Sequence, residues 1–423
     1  MPDSTAKRLP PELCPRQLVG LFATTEMFPG SDIVATRLDI TVLPRELMLR
    51  KTAAILMVLW MCSAAWASPS GPWPVVQANR WYSHQPWLVG SNFIPSTAIN
   101  QLEMWQEDTF DLPSIDRELG WAEGLGMNTM RVFLHNLVWQ EDPQGLLRRM
   151  DQFLQVADRH HIRITFVLLD SVWDPSPETG KQREPRPHVH NSGWVQAPGK
   201  EMLKHQSRWD QELKPYVLGV IGHFRNDHRV LMWDLMNEPD NENPPYKAEE
   251  LPNKAELALT LLKAEWAWAR GRKPSQPLTS GVWRGDWSSD ARLTAIERFQ
   301  LQNSDVITFH SYEPPQAMKR RIESLRRYGR PILCTEYMAR PLGSTFESIL
   351  PLLKAEHVAA YNWGFVNGKT QTIYPWDSWE KPYTAEPSVW FHDIFRKDGS
   401  PYDPKEVSLI EQLTRGESPL QAR

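Results

Sequence analysis

The chain has 423 residues, 41% of them hydrophobic and 23% charged, with a net charge of −4. That length and balance allow a sizeable globular core and exclude wholesale disorder, and the lack of a strong basic run speaks against a nucleic-acid partner. Twenty tryptophans stand against 10 tyrosines and 14 phenylalanines, a surplus that can fill a core and also suits sugar, whose apolar C–H faces stack on indole while the N–H donates.

The first recognisable segment is a secretory signal. Arg50 and Lys51 form a basic start after Met48, Thr52–Ala65 carries no charge, and Ala65-Trp66-Ala67 is an A-x-A cleavage site before Ser68. The apolar stretch is shorter than the ~20 residues a membrane-spanning helix requires, and Trp60 and Met61 before Cys62 do not fit a lipoprotein signal. A signal normally begins a chain, so residues 1–47 are expected to be a spurious or disordered extension, with translation starting at Met48. The expected division is therefore extension 1–47, signal 48–67 and one domain over 68–423. That domain would be secreted or periplasmic, monomeric and free of the membrane once cleaved. Of Cys14, Cys62 and Cys334, cleavage leaves only Cys334, so no intramolecular disulfide is expected.

From Trp87 onward, short apolar or β-branched runs alternate with helical patterns of about a dozen residues, the signature of βα units. The predicted strands are Trp87–Asn92, Thr129–Leu134, Arg163–Leu169, Val230–Met236, Leu278–Val282, Val306–Phe309, Pro331–Thr335 and Ala359–Trp363. The helices between them are predicted at Ile115–Leu125, Gly145–His160, Arg208–Phe224, Ala255–Ala269, Leu293–Phe299, Gln316–Tyr328 and Thr345–His357, with a last one at Pro387–Phe395. Eight units predict a (β/α)₈ TIM barrel, spanning about residues 87–395. An open doubly wound sheet would carry a Gly-rich phosphate turn after its first strand; Gly90-Ser91-Asn92-Phe93-Ile94-Pro95 is no such turn. Two connections are long, Ser171–Ser207 after the third strand and Val366–Pro387 after the eighth. Both follow strand C-termini, where barrel enzymes keep their sites, and both carry tryptophans: Trp173 and Trp194, then Trp376 and Trp379.

Two acidic residues stand where strands run out: Glu238 in Trp233-Asp234-Leu235-Met236-Asn237-Glu238-Pro239, and Glu336 in Cys334-Thr335-Glu336-Tyr337. Strands four and seven of a closed barrel lie on opposing sides of its mouth, so these carboxylates would face each other. Glycoside hydrolysis needs such a pair, one protonated to release the leaving oxygen and one ionised to attack the anomeric carbon, ~5–5.5 Å apart in retaining enzymes. Their surroundings must drive the two pKa values apart. Candidates for that tuning and for substrate contact are Arg131, with Phe133 and His135 on the same side by alternation, and His310 with Tyr312, which could donate to Glu336. Asn237 would bind the sugar 2-hydroxyl, and Trp363 would lie beneath the sugar.

With these residues in place the chain resembles the clan A glycoside hydrolases, most closely the cellulase-like glycoside hydrolase family 5. The resemblance rests on Arg131, Asn237-Glu238-Pro239, His310-Ser311-Tyr312, Glu336 and Trp363, and covers about Trp87–Phe395. It implies a retaining mechanism with Glu238 as acid/base, Glu336 as nucleophile, and neither metal nor organic cofactor. One position departs from the family pattern. Where family 5 members often carry a His at the end of strand three, this chain has Asp170, expected to bind a sugar hydroxyl or cap the turn, with His135 in partial compensation.

The His188-Val189-His190 pair has metal-like spacing but no matching carboxylates and reads as loop. Asp240 and Glu242 read as a solvated acidic loop rather than a calcium site. Trp376, Asp377 and Trp379 either line a subsite or pack over the rim. The expected partner is a β-linked oligosaccharide or polysaccharide of glucan, mannan or xylan type. Transglycosylation by the same residues, or sugar binding on an inactive barrel, are the alternatives.

Overall fold

The computed structural model describes residues 20–26, 35–41 and 71–415. The expected signal segment, 48–67, lies outside them, as does most of the extension before it. Within that extension Gly20–Glu26 and Ala35–Thr41 pair as an antiparallel ribbon, Gly20 opposite Thr41.

The remainder is an eight-stranded parallel barrel. In chain order its strands are β1 (Val89–Asn92), β2 (Thr129–Phe133), β3 (Arg163–Asp170), β4 (Val230–Asn237), β5 (Leu278–Thr279), β6 (Ile307–His310), β7 (Ile332–Tyr337) and β8 (Ala359–Asn362). The helices after them are α1 (Leu112–Gly124), α2 (Pro143–Arg159), α3 (Trp209–Phe224), α4 (Lys254–Gly271), α5 (Ala295–Asn303), α6 (Pro315–Leu325), α7 (Phe346–Ala355) and α8 (Pro404–Arg415). Strands pair in ring order β5-β4-β3-β2-β1-β8-β7-β6. The ring closes through one bridge, Val282 to Phe309, where His310 N–H donates to the Val282 carbonyl at 3.0 Å. The predicted (β/α)₈ barrel is what the chain forms.

Local chemistry explains the boundaries. Asp111 and Asp142 cap α1 and α2 by accepting from Ser114 and Gly145 N–H, each with a proline at the first or second helical position. Thr294 and Glu297 form a capping box on α5. At Gly90, a Cβ would sit 1.7 Å from the Thr129 carbonyl, so only glycine lets β1 and β2 approach. Between strands and helices lies the main apolar core. A second cluster, with Leu88, Met232, Leu333 and Tyr361, fills the lower barrel, and Trp81 and Tyr82 of the helix Val75–Ser83 pack against it. No described helix is long and apolar enough to cross a membrane.

One predicted element is wrong. Residues 387–395 are not a helix; the last helix is α8. The apolar spacing of Trp390, Phe391, Ile394 and Phe395 mimics a helical face, but their burial serves a loop. Phe391 and His392 N–H donate to the Ile373 and Thr372 carbonyls, and Ile394 N–H to that of Phe365.

Candidate active site

The barrel mouth collects charged side chains that water cannot reach. Arg131, from β2, is wholly buried. Its Nε and Nη2 donate to Asp234 Oδ2 at 3.0 and 2.8 Å, Nη2 also to Asn237 Oδ1 at 2.7 Å, and Nη1 to Asn92 Oδ1 at 2.8 Å and Glu336 Oε1 at 2.9 Å. Four of the five acceptor contacts come from β1 and β4, the fifth from β7, so one guanidinium ties three strands together at the height of the mouth. The Phe133 ring lies 4.8 Å beneath it.

Glu238 follows β4 directly and holds φ at +41°, a left-handed conformation uncommon for a non-glycine residue. That turn aims its carboxyl inward. Oε1 meets His310 Nδ1 at 2.7 Å and Oε2 accepts from Asn241 Nδ2 at 2.7 Å. Glu336, in β7, accepts from Arg131 on Oε1 and from the Tyr312 hydroxyl on Oε2 at 2.7 Å, and His310 Nε2 stands 3.6 Å from Oε1. One oxygen of Glu238, one of Glu336 and a ring nitrogen of His310 all lie within 4.8 Å of one another. That spacing would suit a cation, but the Arg131 guanidinium already supplies positive charge to Glu336. The two glutamate side chains keep 10% and 6% of their surface exposed, a narrow opening.

The electrostatics of the pair are unequal. Burial pushes the Glu238 carboxyl up to about 7, against the pull of the Asn241 hydrogen bond and the Arg131 charge. Burial also raises Glu336, and the charge of Glu238 adds to it, while His310, Arg131 and the Tyr312 hydrogen bond pull the other way. Burial holds His310 down at about 4 and therefore neutral. With Glu238 protonated, its O–H donates to Nδ1; the imidazole proton then resides on Nε2, facing Glu336. The same ring thus favours a neutral carboxyl on one side and an ionised one on the other.

The remaining predicted residues divide. Asn237 stands in place, its Nδ2 donating to Asp170 Oδ1 at 3.0 Å. Trp363 meets Phe133 and Trp194 edge-on, with centroids 5.7 and 5.8 Å apart, and Trp173 packs on that cluster. Trp376 sits on the rim, edge to Tyr312 at 5.1 Å and 39% exposed. Asp170 is not free for a sugar hydroxyl: it accepts from Trp194 Nε1, Gln101 Nε2, Asn237 Nδ2 and Val172 N, so it orients Asn237 and caps a turn. Burial pushes its carboxyl up to about 7. His135 does not compensate at the site. It lies beyond the end of β2, where alternation lapses, and both ring nitrogens are taken, Nδ1 by Leu137 N–H and Nε2 by the Gln196 carbonyl. His188 and His190 bind Tyr374 instead of converging on a metal. Asp240 pairs with Trp283 and Arg284, and Glu242 with Arg284. Asp377 accepts from Tyr383 and Lys381, and Trp379 Nε1 donates to the His190 carbonyl.

Asn92, Asp234, Trp194 and Asn241 escaped the sequence reading as site residues. Asp234 carried a usable signal: a charge inside a strand must be paired, and Arg131 was the strand cation available. Asn241 carried none, since its place depends on the turn that Glu238 makes.

No family model and no curated protein matches the chain in sequence. Its backbone does resemble solved structures. An exo-beta-1,4-mannosidase from Opitutaceae bacterium strain TAV5 superposes with a TM-score of 0.51 at 17% identity, over 82% of this chain and 62% of that one, so the chain spans less than two thirds of its length. An endo-beta-1,4-mannanase from Thermotoga petrophila gives 0.49 at 14% identity, over 80% and 79% of the two chains. A beta-mannanase from the blue mussel Mytilus edulis gives 0.45 at 14%, over 72% and 94%. The first likeness shows the shared barrel fold, which by itself does not assign a reaction.

Proposed function

We propose that this chain is a retaining β-glycosidase acting on a β-linked oligosaccharide or polysaccharide of mannan, glucan or xylan type. The observation that carries the reading is the pair Glu238 and Glu336, from opposite sides of the mouth, with oxygens within 4.8 Å of each other and Arg131 and Tyr312 on Glu336 alone. Inverting enzymes leave ~6.5–9.5 Å for a water between the carboxyls; retaining ones close to ~5–5.5 Å.

The proposed steps are these. Glu238, protonated near neutral pH, gives its proton to the glycosidic oxygen as that bond breaks. Glu336, whose ionised form Arg131 and Tyr312 favour, forms a bond to the anomeric carbon. Glu238, now a carboxylate, takes a proton from water, whose oxygen displaces Glu336 and restores the starting state. Asn237, its amide fixed by Arg131 and Asp170, would bind the 2-hydroxyl, and Trp363 would lie beneath the ring. The segment 48–67 supports action outside the cytoplasm; N-terminal sequencing of the exported protein checks it, with Ser68 expected first.

Glu238→Ala and Glu336→Ala are each expected to abolish turnover while the fold persists, read by circular dichroism beside hydrolysis of aryl β-glycosides. Azide should rescue the Glu336 variant with an α-glycosyl azide and the Glu238 variant with a β-glycosyl azide. Full activity in either variant, or the reversed anomers, refutes the roles. Product anomers followed by NMR test retention directly.

A further inference from the structure

The loops after β3 and β8 are fastened to each other. From the β3 loop the N–H groups of His188, His190 and Asn191 donate to Gln371 Oε1, Ser378 Oγ and the Thr370 carbonyl at 2.8, 3.0 and 2.8 Å. The His190 ring meets the Tyr374 carbonyl at 2.8 Å, and Trp379 Nε1 donates back to the His190 carbonyl at 2.8 Å. Trp173 stacks on Trp379, centroids 5.4 Å apart and planes 13° from parallel. In the ring, β2 and β1 lie between β3 and β8. The joined loops therefore bridge the ends of β1 and β2 and wall off that side of the mouth.

At the foot of the wall, beside Trp363 and Phe133, lies a small half-open depression. Its free volume of about 20 Å³ takes one water-sized group and no sugar ring. Asn191 and Asp393 are among the buried polar side chains that line it. Asn191 is 1% exposed, and neither its amide nitrogen nor its side-chain carbonyl oxygen has a hydrogen-bond partner among the described residues. Asp393 is equally buried, and among the described residues the Thr372 hydroxyl alone bonds its two oxygens, at 3.0 and 2.8 Å. An unmet buried amide costs ~1–3 kcal/mol and requires an explanation. Asn92 also lines the depression and accepts from Arg131, which donates to Glu336. The depression is therefore two side chains from the proposed nucleophile.

Resting on the glycosidase reading, we propose that this depression receives one hydroxyl or hydroxymethyl group of the terminal, non-reducing sugar, read by Asn191 and Asp393, and that the enzyme removes sugars from chain ends. A chain continuing past the reacting sugar would need an exit, and the wall occupies it. The rest of the glycan, as leaving group, would extend past Glu238, which protonates its oxygen.

The 4-nitrophenyl β-glycosides of mannose, glucose and xylose, with mannan, β-glucan and xylan, identify the accepted sugar. A β-linked pentasaccharide of that sugar, reduced to its alditol, then reports the mode of attack. The expected early products are the monosaccharide and the alditol shortened by one unit, with little fall in polysaccharide viscosity. A ladder of sizes with a rapid viscosity drop overturns end-directed action while leaving the glycosidase reading intact; no hydrolysis of any substrate overturns both. Asn191→Gly removes the amide and suits the residue's φ of 49°. It should lower kcat/KM for the aryl glycoside roughly tenfold, about the worth of one lost hydrogen bond, with an unchanged or higher Tm, because no bond of the fold is lost. Unchanged kcat/KM with a lowered Tm would make Asn191 structural and overturn its role.

Discussion

The proton on Glu238 is the variable on which the proposed chemistry turns. The first step needs Glu238 protonated, and that form is lost as pH rises through about 7. It also needs Glu336 ionised, and that form is lost in acid. A bell-shaped kcat/KM is expected, its alkaline limb near pH 7, measured with an unactivated substrate. Tyr312→Phe removes a hydrogen bond that favours ionised Glu336, so the acid limb should move to higher pH and kcat should fall; an unmoved limb would refute the contact's role. Arg131→Met strands Asp234 and Glu336 as uncompensated buried charges. A loss of roughly 3–5 kcal/mol in unfolding free energy is expected from denaturant titration. The residue identities at this scale were readable in advance: Arg131, Asn237, Glu238, His310, Tyr312, Glu336 and Trp363 all meet at the mouth. Of the two readings of Asp170 the turn cap held and the sugar contact did not, and His135 does not reach the site, because a strand-end position says nothing about whether neighbouring donors have already used the side chain.

At the scale of elements, α4 holds a group with no evident chemical use. Glu265 is buried there with both carboxylate oxygens lacking partners among the described residues, and burial, with Asp234 nearby, pushes its pKa well up. The folded state thus keeps a proton that the unfolded chain releases above its ordinary value of 4.5. The acid therefore withdraws stability as pH rises from there. Glu265→Met should raise Tm, and the gain should grow between pH 5 and pH 8; a constant or negative difference would refute the burial argument. Strands were legible because a parallel barrel buries both faces of each one, leaving short continuous apolar runs. The weakest was β5, where regular pairing covers only Leu278–Thr279 and closure falls to Val282. The false helix at 387–395 shows the limit of periodicity: buried loop residues can repeat at helical spacing while their N–H groups donate to other loops.

For the whole molecule, the lower barrel is stoppered by the helix Val75–Ser83, through Trp81 and Tyr82, with the Tyr82 hydroxyl donating to the His357 carbonyl. A variant beginning at Ser68 should fold and turn over like the full chain. One beginning at Gln85 exposes the Leu88, Met232 and Tyr361 cluster and should melt several degrees lower, measured by calorimetry. Equal melting points would show that the helix does not act as a plug. The order of strand and helix, the barrel class and the two glutamates at strand ends are local properties. Periodicity and residue type carry them, so the amino-acid sequence alone determined them. The meeting of Glu238 and Glu336 within 4.8 Å, the fastening of the β3 and β8 loops and the unpartnered Asn191 were decided only by tertiary structure. Each depends on which distant groups exclude water from which others, and no spacing along the chain encodes that.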